Sequence, residues 1–396
     1  MKLNVKANAK SDLTPVVLLI AVFSIAFIAL YYFMAASFPG LIGDYFSDIR
    51  ARIDQGLGDP YSIFLKPEYF FYNSFGKGLG ALLIGVYLSF FVVGSVILVY
   101  FLLKRLCSEA SKKVLLFAAL SSIFMVSICI PYLKDGIYDA YTGSVWHNET
   151  YLGMRFFAML FLIVFYDTCE NYLERFSLKT FICESVLLLF VNWVKPNFII
   201  AFGPAMLVMM IVDIIKARGK GFVNWILYGV PVLIGALILP FQFLNLFSNT
   251  VETSDSSVIF VPGTPILDQR FPIIVFLCAY AFPIITFFIH YKEVFKSKFL
   301  SVSYLGWVFS LLEYAFLAET GSRSSHGNFS WGLHFFTFLI FVISIALHLK
   351  ERYTMNVNDK KAVILYKVSR AIAGLHLVCG IGYFILVMLG ACGYMV

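Results

Sequence analysis

Eleven apolar stretches, separated by polar segments, run the length of the chain. Nine of them can cross roughly 30 Å of hydrocarbon at about 1.5 Å per residue: 15–38, 79–103, 114–130, 198–215, 222–247, 271–290, 299–317, 331–348 and 371–395. Two more, 151–166 and 181–193, are short, and both count as spans because dropping only one would reverse the side of everything after it. The pattern predicts an all-α fold, a polytopic transmembrane helical bundle of about 11 spans, since only helices and closed barrels satisfy the backbone in lipid. Residues 1–396 read as a single integral membrane domain without a separate soluble domain.

Residues 43–60, GDYFSDIRARIDQGLGDP, follow the first span and become amphipathic when wound at about 100° per residue. With Asp44 as zero, Asp48 falls near 40° and Arg52 near 80°, while Tyr45, Phe46, Ile49, Ile53 and Leu57 spread over about 100–220°. One apolar face beside one charged face predicts an amphipathic juxtamembrane helix in the first exterior loop. It should end near Gly56 and Gly58-Asp59-Pro60, where glycine and proline stop helices.

Composition agrees with lipid as the main solvent. The chain is 60% hydrophobic and only 13% charged, with mean hydropathy +0.85; a soluble domain of this length needs far more charge. The 43 Phe and 23 Tyr suit lipid-facing helices and interfacial belts. Lys2, Lys6 and Lys10 precede a run longer than a signal-peptide core, so that run reads as a retained first span. Seven cysteines lie scattered without a CxxC or Cys/His cluster, which argues against a disulfide framework or a zinc site.

Charge sets the direction. With the N-terminus in the cytoplasm, segments 1–14, 104–113, 167–180, 216–221, 291–298 and 349–370 are cytoplasmic and hold 21 of the 30 Lys and Arg, the bias the positive-inside rule demands. The net charge of +7 is therefore topological, spread between apolar runs rather than gathered into a nucleic-acid footprint. Loops 39–78, 131–150, 248–270 and 318–330 become exterior, and they mix Gly, Pro, His, Trp and acids as sites usually do. The expected location is the plasma membrane of a bacterium.

Candidate chemistry gathers on that exterior side. Asp44 and Asp48 are about one helical turn apart, so both carboxylates can face one cleft and serve general-base work on a hydroxyl or share a divalent metal ion, which the sequence does not require. The plain alternative is a solvated face with Asp48 paired to Arg52 and Arg50 to Asp54. His147, in VWHNETY, is an acid, base or hydrogen-bond donor, or interfacial packing beside Trp146. Arg155 stands just inside an apolar segment, where it faces a polar interior or snorkels outward. Lys195 puts a cation on the turn NWVKPN, where a lipid-linked phosphate could meet it. Arg323, His326 and Trp331 lie among glycines in ETGSRSSHGNFSWG, a stretch able to hold a phosphate or a carboxylate. Glu313 and His334 flank that loop from inside their spans. Asn148-Glu149-Thr150 and Asn328-Phe329-Ser330 also fit N-glycosylation triplets.

A first span, a long outer loop opening with acids on a juxtamembrane amphipathic helix, then many further spans: this arrangement resembles the GT-C superfamily of membrane glycosyltransferases. The resemblance implies transfer of sugar from a polyprenyl-phosphate carrier to a glycan or lipid acceptor, in cell-surface glycan or polysaccharide synthesis, with the catalytic carboxylate at Asp44 or Asp48. On this reading His147, Arg155, Lys195, Arg323, His326 and Trp331 are the expected substrate contacts, and polyprenyl-phosphate-linked sugar and membrane lipids the partners. A lipid-linked oligosaccharide polymerase would favour exterior arginines, which are few here; a transporter or flippase would favour charges deep in several spans and two pseudo-symmetric halves.

Overall fold

The computed structural model describes residues 14–37, 62–128, 143, 148–242, 257–263, 272–321 and 327–388. The expected amphipathic helix at 43–60 lies outside the described residues, as do Asp44, Asp48, His147, Arg323 and His326. Twelve α-helices are described: α1 (Thr14–Ser37), α2 (Lys66–Phe75), α3 (Ala81–Leu106), α4 (Lys112–Ser122), α5 (Glu149–Cys169), α6 (Leu178–Val194), α7 (Asn197–Lys216), α8 (Phe222–Ala236), α9 (Pro272–Lys296), α10 (Lys298–Phe316), α11 (Ser330–Thr354) and α12 (Lys360–Met388). Strands β1 (Val258–Phe260) and β2 (Leu317–Glu319) pair antiparallel between them.

The chain is an all-α integral membrane bundle. Among the described residues nine helical segments are long and apolar enough to cross a membrane, the α2–α3 column counting as one. The two remaining apolar stretches form α4, of 11 residues, and α6, of 17. In the α2–α3 column, a π-helical turn at Gly76–Gly80 joins Lys66–Phe75 to the apolar run, so the helical segment starts 13 residues before the apolar pattern does. A proline at its N-terminus and Glu68 in its first turn begin that helix.

At the centre stands α11, of whose apolar window 89% is buried, against 17% for that of α12. It is apolar nearly all round because it meets other helices on every side. Antiparallel alternation brings the basic connections to one end. There Arg105 of α3 grips Asp167 of α5 with two hydrogen bonds of 3.0 and 2.9 Å, Lys298 of α10 pairs with Asp213 of α7 at 3.1 Å, and Lys350 of α11 meets Glu293 of α9.

One stretch departs from the expected span over 114–130. Helix α4 stops at Ser122, and residues 123–128 continue without helix inside the bundle. Their backbone groups must find partners there, since hydrocarbon offers none. The Ile128 amide donates to the Cys278 carbonyl at 3.0 Å, and the Val126 carbonyl accepts from His376 Nδ1 at 2.6 Å. His376 Nε2 in turn accepts the Phe282 amide at 3.4 Å. Phe282 stands one residue before the helix-interior Pro283, which has no amide of its own. His376 thus ties α4, α9 and α12 together, and a Cβ on Gly380, one turn further along, would run into the Phe124 carbonyl.

Candidate functional site

The end opposite the basic connections is organised by helix termini. Three successive carbonyls at the close of α6 lack helical partners, as the last turn of any helix does. Gln242 Nε2 donates to those of Asn192 and Trp193 at 2.8 and 3.2 Å, and Ser62 Oγ to that of Val194 at 2.9 Å. The chain then turns through Lys195-Pro196 directly into α7. This bracing fixes Lys195, which is only 6% exposed.

Helix α5 begins beside it. Asn148 caps the helix, its Oδ1 accepting the Tyr151 amide at 2.9 Å and the Thr150 hydroxyl at 2.8 Å. Lys195 Nζ donates to Thr150 Oγ1 at 3.0 Å and to Asn148 Oδ1 at 3.4 Å, while lying 4.2 Å from the centre of the Trp331 ring, a cation–π distance. The Trp331 ring is 5.8 Å from that of Tyr151 and 5.1 Å from that of His334. With its side chain buried as a cap, the Asn148 triplet is explained by helix capping.

Arg155 lies about 9 Å further along α5, six residues at the helical rise. It is 0% exposed, and its three guanidinium nitrogens have no hydrogen-bond partner among the described residues. Aromatic faces surround it instead, Phe338 at 5.1 Å and Tyr151 at 5.6 Å. The Tyr151 hydroxyl donates to the Gly143 carbonyl at 2.8 Å. Residue 143 must be glycine, because a Cβ there would stand 2.5 Å from the Phe338 amide nitrogen. Gly143 therefore sits against Phe338 and Tyr151, the two rings that face the Arg155 guanidinium.

Carboxylates complete the cluster. Asn197, first residue of α7, donates through Nδ2 to the Asn328 carbonyl at 2.7 Å and to Glu313 Oε1 at 3.4 Å. The other Glu313 oxygen is buried without a partner among the described residues. Asn328 donates to Glu319, which closes β2. At the start of the α2–α3 column Glu68 is 0% exposed, and neither of its oxygens has a hydrogen-bond partner among the described residues. It stands one helical turn beyond Phe64, whose carbonyl accepts from Tyr87 at 3.1 Å and whose ring lies against Gly153 of α5.

Of the residues singled out in the sequence, Arg155, Lys195 and Trp331 come together at this end, Trp331 touching Lys195 directly and reaching Arg155 through Tyr151. Sequence reasoning did not single out Asn148, Thr150 and Asn197 as contacts, and it counted Glu68 only as one exterior acid among many. A signal existed for Glu68: Lys66-Pro67-Glu68 has the proline and first-turn acid of a helix start, which places that acid on a helix rather than in a loop. Burial of its carboxyl has no such signal.

The molecule is therefore a polytopic α-helical membrane protein with buried cations and carboxyls gathered at one end of its bundle. Its sequence matches no protein-family model and no curated protein. Among the described residues no cluster of His, Cys, Asp and Glu could hold a metal ion.

Proposed function

We propose that the protein is a membrane glycosyltransferase that takes sugar from a polyprenyl-phosphate carrier on the extracytoplasmic face, in cell-surface glycan synthesis. The single observation that carries this is Arg155: a fully buried guanidinium without a hydrogen-bond partner among the described residues, on the helix whose first turn meets Lys195. A guanidinium held this way is prepared for an anion that arrives from elsewhere, and a departing lipid phosphate is such an anion. In the reaction the acceptor hydroxyl oxygen bonds to the anomeric carbon as the bond to phosphate breaks. A carboxylate, Asp44, Asp48 or Glu68, takes the hydroxyl proton, while Lys195 and Arg155 offset the charge left on the phosphate. The excess of Lys and Arg at the opposite end supports a cytoplasmic N-terminus, in the plasma membrane of a bacterium.

A transporter of lipid-linked glycans is the second reading. The interrupted helix at 123–128 favours it, because broken helices deep in a bundle often line transport sites. One experiment separates the two. Purified full-length protein in liposomes is given radiolabelled polyprenyl-phosphate sugars and a glycan acceptor, wild type against Asp44→Asn, Asp48→Asn and Glu68→Gln. Transfer by wild type that collapses in one of these variants supports the enzyme; lipid crossing the bilayer without sugar transfer supports the transporter and removes the enzyme.

A further inference from the structure

A groove of about 700 Å³ opens between α7, α9 and α10 on the half of the bundle that carries the basic connections, away from the polar cluster just described. Its origin is a difference in packing. Helix α10 packs more closely along α7 than along α9, and α9 carries Pro283 and a non-helical His290 (φ −111°, ψ 18°), so it departs from its neighbour. The walls are Val208 and Val212 of α7, Phe287 and Phe288 of α9, and Tyr304 and Val308 of α10. From Val208 to Lys216 the lining runs about 12 Å along α7, and from Lys298 to Val308 about 15 Å along α10, at the helical rise. Phe288 is 69% exposed, which marks the groove as open toward lipid.

Cations rim one end of this apolar trough. Lys216 closes α7, Lys296 closes α9 and Lys298 opens α10, and all three border the groove. Lys298 is committed: it pairs with Asp213 at 3.1 Å, donates to the Glu170 carbonyl at 2.9 Å and lies 4.6 Å from the centre of the Tyr172 ring. Asp213, the single acid on the rim, is thereby taken. Lys216 and Lys296 are exposed and have no acidic partner among the described residues. Arg218 and Lys220 follow in the adjoining turn.

We propose that this groove binds an anionic glycerophospholipid, with one acyl chain along the apolar walls and the phosphate held by Lys216 and Lys296. The pairing of chain and charge selects this occupant. A trough open to the bilayer takes an acyl chain, and basic pockets between spans on the cytoplasmic side take anionic head groups. The site stands independently of the transfer reaction proposed above, because it shares no residue with it.

Trp307 lines the groove and reports on it. The full-length protein is placed in liposomes of phosphatidylcholine and phosphatidylglycerol at equal mole fraction, with bromine on the acyl chains of one lipid at a time. The Trp307 signal is the difference between wild type and Trp307→Phe. Brominated phosphatidylglycerol is expected to quench it with a relative affinity roughly fivefold above that of phosphatidylcholine, and Lys216→Gln with Lys296→Gln to bring the two lipids to parity. Equal quenching by both lipids in the wild type, or a preference that survives the double variant, overturns the proposal. So does the absence of quenching by either, the result of a second copy of the chain seated on this face. Should the double variant not fold, salt decides on the wild type: about 1 M salt screens the head group, and a preference that persists there contradicts the site.

Discussion

At the basic end of the bundle, Arg105 holds Asp167 in a fork, Lys298 sits between Asp213 and the Glu170 carbonyl, and Lys350 meets Glu293. At the other end Arg155 lies fully buried against two aromatic rings, and the Glu68 carboxyl is buried with no hydrogen-bond partner among the described residues. In the first arrangement these paired charges are offset locally, and most of them lie near water. The second keeps a desolvation cost that a packed apolar side chain would remove. Groups left in that condition cluster where chemistry or binding uses them. On the proposed function, the chemistry takes place at the end where Arg155 and Glu68 are left unsatisfied by their own chain.

Substitutions can break or sharpen this contrast. The largest effect is expected from Lys195→Met, which should lower sugar transfer by roughly 100-fold to 1,000-fold, the usual loss when one charge-stabilising donor is removed; initial rates at saturating donor would show it, and Lys195→Arg should recover part of the rate. Next comes His376→Ala. It strands the Val126 carbonyl and the Phe282 amide in the bundle interior, and should destabilise the protein by about 2–3 kcal/mol in detergent unfolding while leaving donor affinity unchanged. Glu170→Ala removes a carboxylate that accepts the Ser297 hydroxyl and the Lys298 amide at the start of α10. The same measurement should register a loss of about 1 kcal/mol. Arg105→Gln should be smallest, under about 1 kcal/mol and vanishing at high salt, since Asp167 is 53% exposed. A loss of transfer in either basic-end variant comparable to that of Lys195→Met would erase the contrast.

The helices were legible because lipid imposes a single pattern: the eleven apolar stretches map in order onto the helices from α1 through α12, with α2 added before α3. Where reading stopped, a tertiary partner had overruled it. Residues 123–128 are as apolar as a span, but their backbone is captured by His376 and Cys278, residues more than 140 positions away. A lone histidine in an apolar run carries no local sign of the two backbone partners that His376 has. At the site, Lys195 and Trp331 were visible as a cation on a turn and an aromatic at a loop border. That one lies over the other depends on Asn192, Gln242 and Ser62 bracing the end of α6. Arg155 was conspicuous for its charge, whereas its lack of a hydrogen-bond acceptor could be seen only once its neighbours were known.

Arg155 is also where the account meets its most direct test. Arg155→Met keeps an unbranched apolar stem and removes the charge, and two quantities are measured on the same preparation: unfolding free energy and rate of sugar transfer. If the guanidinium is held for an incoming phosphate, stability rises by about 1 kcal/mol or more while transfer falls at least tenfold. A fall in both would make Arg155 a structural residue, and a gain in stability with transfer unchanged would remove it from the reaction.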